Sequence, residues 1–368
     1  MMQYTKSDYF FFIFFLPLFA AKLLDITAEN YILMGLGVVS ALFITIYLIQ
    51  QRYTSSYIRL FTPLLLFTSV LVLTSGKQAA FFSVLMLMGM RKVDLDKKVF
   101  NVCFAVGIPF FLLAIYLSHG EEAERFINGE WVSITKRSNI YFVGYSVLAV
   151  LYILKHRYNL KKKQLLLVFI TSIYMAYWCG SRTGLLVMIL LISLVCLLKR
   201  DIVRKRFVIR WLCVYSPLYC MAISLCSAIL YNNSPLLKIL DVVVQGRIYQ
   251  NSIFYEKYGI SLFGNHIFEG TDSSGGYWNL DCAYMDFLIC EGLVFTIIWI
   301  AATIAVIKYY YKNERIIEVS ILVMYAFYGL SETFLPNCFM NISLFLYGEY
   351  IYSHIIRSGN CIIPNHKL

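Results

Sequence analysis

Residues 161–206 read KKKQLLLVFITSIYMAYWCGSRTGLLVMILLISLVCLLKRDIVRKR, and this stretch decides the fold. Two apolar runs, 164–179 and 183–198, meet at the turn Trp178-Cys179-Gly180-Ser181-Arg182-Thr183-Gly184. They are bracketed by Lys161-Lys162-Lys163 and Arg204-Lys205-Arg206. An apolar helix of about 17 to 25 residues crosses the hydrocarbon of a bilayer, somewhat fewer when flanking side chains snorkel. The stretch therefore reads as a membrane hairpin with both basic ends on one side. Outward from it, similar runs occupy 9–24, 31–50, 60–74, 79–90, 99–118, 139–154, 211–230, 283–307, 316–335 and 338–353. The prediction is an all-α polytopic membrane protein with about twelve transmembrane helices. Segment 79–90 is short enough to be re-entrant. The run 9–24 has no convincing small-residue cleavage site after it and reads as a retained first helix.

Composition agrees. Hydrophobic residues make up 60% of the chain, charged residues 14%, and mean hydropathy is +0.69, against roughly a quarter charged in soluble domains. A soluble fold is excluded. The 29 Tyr and 28 Phe suit lipid contact and headgroup-level rings. A net charge of +11 raises the question of nucleic acid, and the positions of the charges answer it. Of the 32 Lys and Arg, 23 lie in the N-terminus, 51–59, 91–98, 155–163, 199–210, 308–315 and the C-terminus. The remaining nine are Lys22, Lys77, Arg125, Lys136, Arg137, Arg182, Lys238, Arg247 and Lys257. The positive-inside rule places both termini in the cytoplasm and explains the charge without nucleic acid. The ten Cys, with no CxxC and no zinc spacing, read as small apolar fillers.

The whole chain, 1–368, reads as one integral membrane domain, with 231–281 as a large extracytoplasmic loop and 119–138 as a second long outer loop. No internal repeat is visible, and the paired interrupted helices of an inverted-repeat transporter are not apparent. Polar chemistry is expected in the outer loops. An outer Arg runs against the topological trend, so Arg182 and Arg247 each need a reason. Arg182 stands in its turn at the outer surface, either in a site or snorkelling to lipid phosphates. Arg247 opens a stretch with apolar residues at Ile248, Phe254, Tyr255 and Tyr258, spaced as in a short interfacial helix. Its first turn would add free N–H groups to the charge, an anion site in prospect; an ordinary surface helix is the alternative. The Gly- and Ser-rich run 271–276 reads as a lid. His266 is a candidate general base or a merely solvated side chain. Asp281 lies at the mouth of the tenth span, with Asp286 and Glu291 inside it and Glu332 near the outer end of the next. Acids within spans are costly and usually face a polar interior, as a site or as structural pairs. Asp94-Leu95-Asp96 resembles a metal-holding DxD motif but lies among Arg91, Lys92, Lys97 and Lys98 in a short loop, and is read as a solvated turn.

In this order the segments resemble the bacterial O-antigen polymerase and O-antigen ligase superfamily. Gly180-Ser181-Arg182-Thr183-Gly184-Leu185-Leu186 is similar to its SR-S/T-G-L turn. Arg247 through Leu262-Phe263-Gly264 is similar to its outer-loop Arg, aromatic helix and FG segment. Asp281-Cys282-Ala283-Tyr284 through Glu291-Gly292-Leu293 is similar to its polar-Tyr-Glu-Gly-Leu pattern. Asp281 replaces the His common in ligases, which favours a repeat-unit polymerase of the Wzy type; Cys282 departs from the usual Asn.

The resemblance implies a fold like the GT-C membrane glycosyltransferases, in the bacterial cytoplasmic membrane. It implies an inverting, metal-independent transfer of glycan from polyprenyl diphosphate to a new lipid-linked repeat unit. Arg182 and Arg247 would bind the diphosphate, and Asp281, or else His266 or Asp286, would be the base. Glu332 and Glu291 would support them. Membrane lipid, a chain-length regulator and a flippase are the implied partners, with no cofactor. Ligation to another acceptor and flipping of lipid-linked sugars are the competing readings, and Glu349, deep in the last span, fits transport better.

Overall fold

The computed structural model describes residues 4–24, 31–51, 53–91, 93–117, 123–127, 130–134, 139–244, 246–267, 270–271, 277–278 and 280–355. The chain is helical. In order come α1 (Lys6–Leu23), α2 (Tyr31–Ile49), α3 (Ser55–Ser75), α4 (Ala79–Gly89), α5 (Phe100–Leu117), α6 (Asn139–Lys155), α7 (Lys162–Cys179) and α8 (Arg182–Leu198). After the short α9 (Asp201–Arg204) follow α10 (Phe207–Val214), α11 (Ser216–Leu230), α12 (Pro235–Val243), α13 (Arg247–Tyr258) and α14 (Ala283–Asp286). The last three are α15 (Leu293–Lys312), α16 (Ile316–Tyr328) and α17 (Leu344–Tyr350). Two antiparallel hairpins sit in the long loops: β1 (Ala123–Ile127) with β2 (Glu130–Ile134), and β3 (Gly270–Thr271) with β4 (Tyr277–Trp278).

Among the described residues, three helices are long and apolar enough to cross a membrane: α3, α5 and α15. A fourth is formed if α10 and α11, bent by 62°, count as one span. Five more apolar helices, among them α4, α8 and α16, are shorter, below the roughly 20 residues that hydrocarbon requires.

Several segments expected to be continuous are interrupted. The run 211–230 breaks at Tyr215, ahead of Pro217 in the first turn of α11. The run 283–307 passes through a π-turn, Phe287–Glu291, and stops at Gly292 before α15 begins. The run 316–335 ends its helix at Tyr328, and 338–353 is helical only from Leu344.

Helix α1 lies deep in the bundle. Thr5 and Asp8 cap it reciprocally, and Asp8 also takes Lys98 at 2.5 Å. Phe11, Phe14, Phe15 and Phe19 are fully buried, with Phe15 against Phe339 and Phe345 at ring centroids 5.3 and 5.2 Å apart. Helix α16 is likewise enclosed. The outer helices present Leu66, Leu73, Leu112, Tyr116, Leu166 and Ile297 outward. So many exposed apolar side chains on a well-filled bundle are what a membrane-facing surface requires.

The candidate site at the end of the bundle

At Gly246 the chain turns through φ +81°, a conformation that favours glycine, and starts α13. Arg247 is its first residue. Two carboxylates converge on the Arg247 guanidinium: Asp281 Oδ2 lies 3.7 Å from Nε, and Glu332 Oε1 lies 3.6 Å from an Nη nitrogen. Only 12% of the Arg247 side chain is exposed. Asp281 and Glu332 are brought together by backbone. Ala283 N–H donates to Gly329 C=O at 2.9 Å, and Tyr284 hydroxyl to Ala326 C=O at 2.7 Å, so the start of α14 is tied to the end of α16. Burial pushes the Asp281 carboxyl above the ordinary aspartate range, and Arg247 pulls it part of the way back.

Two first-turn amides of α13 are not available to an external anion. Asp241 of α12 accepts from Ile248 N–H at 2.8 Å and Tyr249 N–H at 3.2 Å. The anion capacity expected there therefore rests on Arg247 itself. Nor does α13 lie with its apolar face outward: Phe254 is buried, and the helix packs on α11.

Two of the three segments that carry the resemblance meet. Asn265 N–H donates to Ile289 C=O at 2.9 Å, Leu293 N–H to Ser261 C=O at 2.9 Å, and Val294 N–H to Leu262 C=O at 3.2 Å. The π-turn frees carbonyls that a regular helix would use internally. Gly264 and Gly292 both have positive φ, +86° and +90°. A Cβ at Gly264 would sit 1.9 Å from the Cys290 carbonyl oxygen, and one at Gly292 2.4 Å from Gly264 N. The loop is thus socketed into the broken helix, with Thr74 hydroxyl donating to Phe263 C=O at 3.1 Å.

The other predicted residues are distributed around this frame. Asp286, buried, accepts from the Lys77 ammonium in the α3–α4 turn. Glu291 is buried with both oxygens unpartnered among the described residues, and nothing in the structure explains it. His266 is exposed and stands over that same turn, its Nε2 3.4 Å from where a Cβ on Gly76 would be. Its neighbour is therefore the turn that carries Lys77.

Arg182 opens α8, is exposed, and makes no ion pair with another described residue. It shares the end of the bundle with Arg247: Gly184 abuts Phe142 of α6, and one turn along α6 Ser146 lies beside Tyr328, which feels the Arg247 charge. Of the lid 271–276, residues 272–276 lie outside the described residues; the paired strands β3 and β4 bracket it.

Sequence reasoning passed over Asp241 and Lys77. For Lys77 the signal was present, because it too is a cation on the side where cations are scarce.

Glu349 belongs to the opposite end. Arg157 lies 3.1 Å from Glu318 and 3.3 Å from Glu349, and also contacts Asp96; Arg315 contacts Glu318 at 2.6 Å and Glu349. The second acid of the DxD-like turn is therefore part of an ion network rather than merely solvated. Among the described residues no three His, Cys, Asp or Glu converge as a metal site needs. Against protein-family models, curated proteins and solved structures, the chain has no match.

Proposed function

We propose that the chain is a multi-pass membrane glycosyltransferase, with both termini cytoplasmic, that polymerises lipid-linked oligosaccharide repeat units at the outer face of a bacterial cytoplasmic membrane. The observation that carries this reading is Arg247, nearly enclosed, between Asp281 and Glu332. In the reaction a sugar hydroxyl of the acceptor attacks the anomeric carbon of the donor, the carbon–oxygen bond to the diphosphate breaks, and the hydroxyl proton passes to Asp281. Direct attack inverts that carbon. An Arg at the leaving group stabilises charge that grows in the transition state, usually a large catalytic contribution.

The charge balance adds a requirement. With both acids ionised, Arg247, Asp281 and Glu332 carry a net negative charge, which repels a diphosphate. A second cation is needed, and Arg182, exposed at the same end, supplies it.

Transfer of finished glycan to a different acceptor uses the same chemistry and is the alternative. Transport is less well supported, because Glu349 is engaged by Arg157 and Arg315 away from the Arg247 cluster. The test is the carrier-linked product of a deletion strain. Single repeat units facing outward are expected. Long chains of random length stranded on the carrier would mean ligation, and units trapped on the cytoplasmic side would mean flipping.

A further inference from the structure

Helix α12 turns its acid inward and its apolar side chains outward. Leu236, Ile239, Leu240 and Val242 are all exposed, Val242 at 80%, and they form one stripe at helical spacing. Asp241, the only acid of the helix, is buried, where it caps α13 and accepts from Tyr231 hydroxyl at 3.2 Å. A helix facing water has the opposite polarity. With nine residues α12 is too short to cross a bilayer, so its stripe can meet lipid only along the surface.

Two observations name lipid as the occupant. Exposed apolar side chains run along the chain into α12 from α11, where Ile229 and Leu230 are exposed at the last residues and Ile223 two turns earlier. Lys238, also exposed, falls at the stripe's edge by helix geometry, where an ammonium reaches headgroup phosphates while its stem stays on the apolar side.

We propose that α12 is seated in the outer leaflet and acts as a float that sets the height of Arg247. The coupling runs through hydrogen bonds from Asp241, whose carbonyl also accepts from Gly246 N–H at 2.9 Å. The Asp241 carboxylate grips the first two amides after Arg247, so any vertical displacement of α12 is passed to the guanidinium. The seating holds whatever reaction Arg247 serves; the purpose of the height, holding Arg247 level with a lipid-borne diphosphate, rests on the reaction proposed above.

The test uses the full chain in liposomes of phosphatidylethanolamine and phosphatidylglycerol, the latter with alkyne-tagged acyl chains. A benzoylphenylalanine photoprobe replaces Ile239, Val242 or, as control, the exposed Lys257 of α13. Lipid adducts several-fold above the control are expected at 239 and 242. Yields no higher than at 257, or adducts to a second copy of the chain, would overturn the seating. In a second arm, Ile239→Glu is expected to lower glycan extension several-fold at normal protein level, and unchanged extension would overturn the height-setting role. Lipid adducts from a chain that extends no glycan would sink the polymerase reading and leave the seating intact; extension without adducts would do the reverse.

Discussion

The two ends of the bundle handle charge differently. At the basic end Arg157 and Arg315 contact Asp96, Glu318 and Glu349, with Arg157 and Glu318 almost wholly enclosed. At the other end a single Arg faces two acids at 3.6 and 3.7 Å, beyond hydrogen-bonding distance, beside a partly exposed Asp281. A guanidinium has five N–H donors in a fixed fork. Where close carboxylates occupy the fork the Arg is structural; where they stand off, donors remain for a ligand. The contrast separates a clasp from a site using the same residue types.

The largest loss is expected for Arg157→Ala. It leaves Glu318 and Glu349 with one cation fewer in an enclosed setting, a loss of about 3–5 kcal/mol for a buried pair. Thermal unfolding of the detergent-purified protein checks it. A drop no larger than that of a surface Arg would show that the network is not the clasp described.

Next in size is Arg247→Ala. Its partners are looser and partly solvated, so the protein should insert at normal level, while glycan extension falls about 10²–10³-fold, as for loss of one preorganised charge-stabilising donor. Arg182→Ala is expected to act in the same direction. Extension on lipid-linked repeat units, normalised to protein in the membrane, is the readout, and unaltered extension in both variants would remove the diphosphate-clamp role.

The smallest effect concerns pH. Asp281 holds its proton more tightly in the folded protein than in the unfolded chain, because burial raises its pKa. Stability is therefore lost as pH rises from about 4 through the raised value, by about 1.4 kcal/mol for each tenfold tightening of the hold on that proton. Extension should rise over the same window as the base ionises. In Asp281→Asn the contribution to the stability slope should vanish. A melting profile parallel to that of the unaltered protein would show that Asp281 does not titrate as described.

Much of the bundle was legible because apolar runs and basic loops need no tertiary information. The start of α8, expected at 183 and found at Arg182, and the presence of a short helix opening at Arg247 were also readable, the first from the Gly180 turn and the second from apolar spacing. The interruptions were not. Pro17, Pro63 and Pro109 sit inside helices, whereas the chain breaks at Tyr215 and Gly292, so breaker residues alone do not locate the breaks. Gly292 stops its helix because a loop nearly thirty residues upstream occupies the space and accepts its neighbours' amides. In the same way the acids of 281–332 stood out as expensive, but their sorting into an Arg247 group and a Lys77 pair depends on which distant turn approaches them. The inward turn of Asp241 was hidden because a short apolar helix with one acid reads the same whichever face is out.

The socket between Leu262-Phe263-Gly264 and Cys290-Glu291-Gly292 ties two distant positions of the sequence to each other. Gly264 is demanded by the backbone of Cys290 and Glu291, and Gly292 by the backbone of Leu262 and Gly264, so both glycines answer to the one close approach of loop and broken helix. Chains of common descent whose overall resemblance has eroded past detection should still keep both glycines or have lost both together, a paired inheritance that would outlast the rest of the sequence.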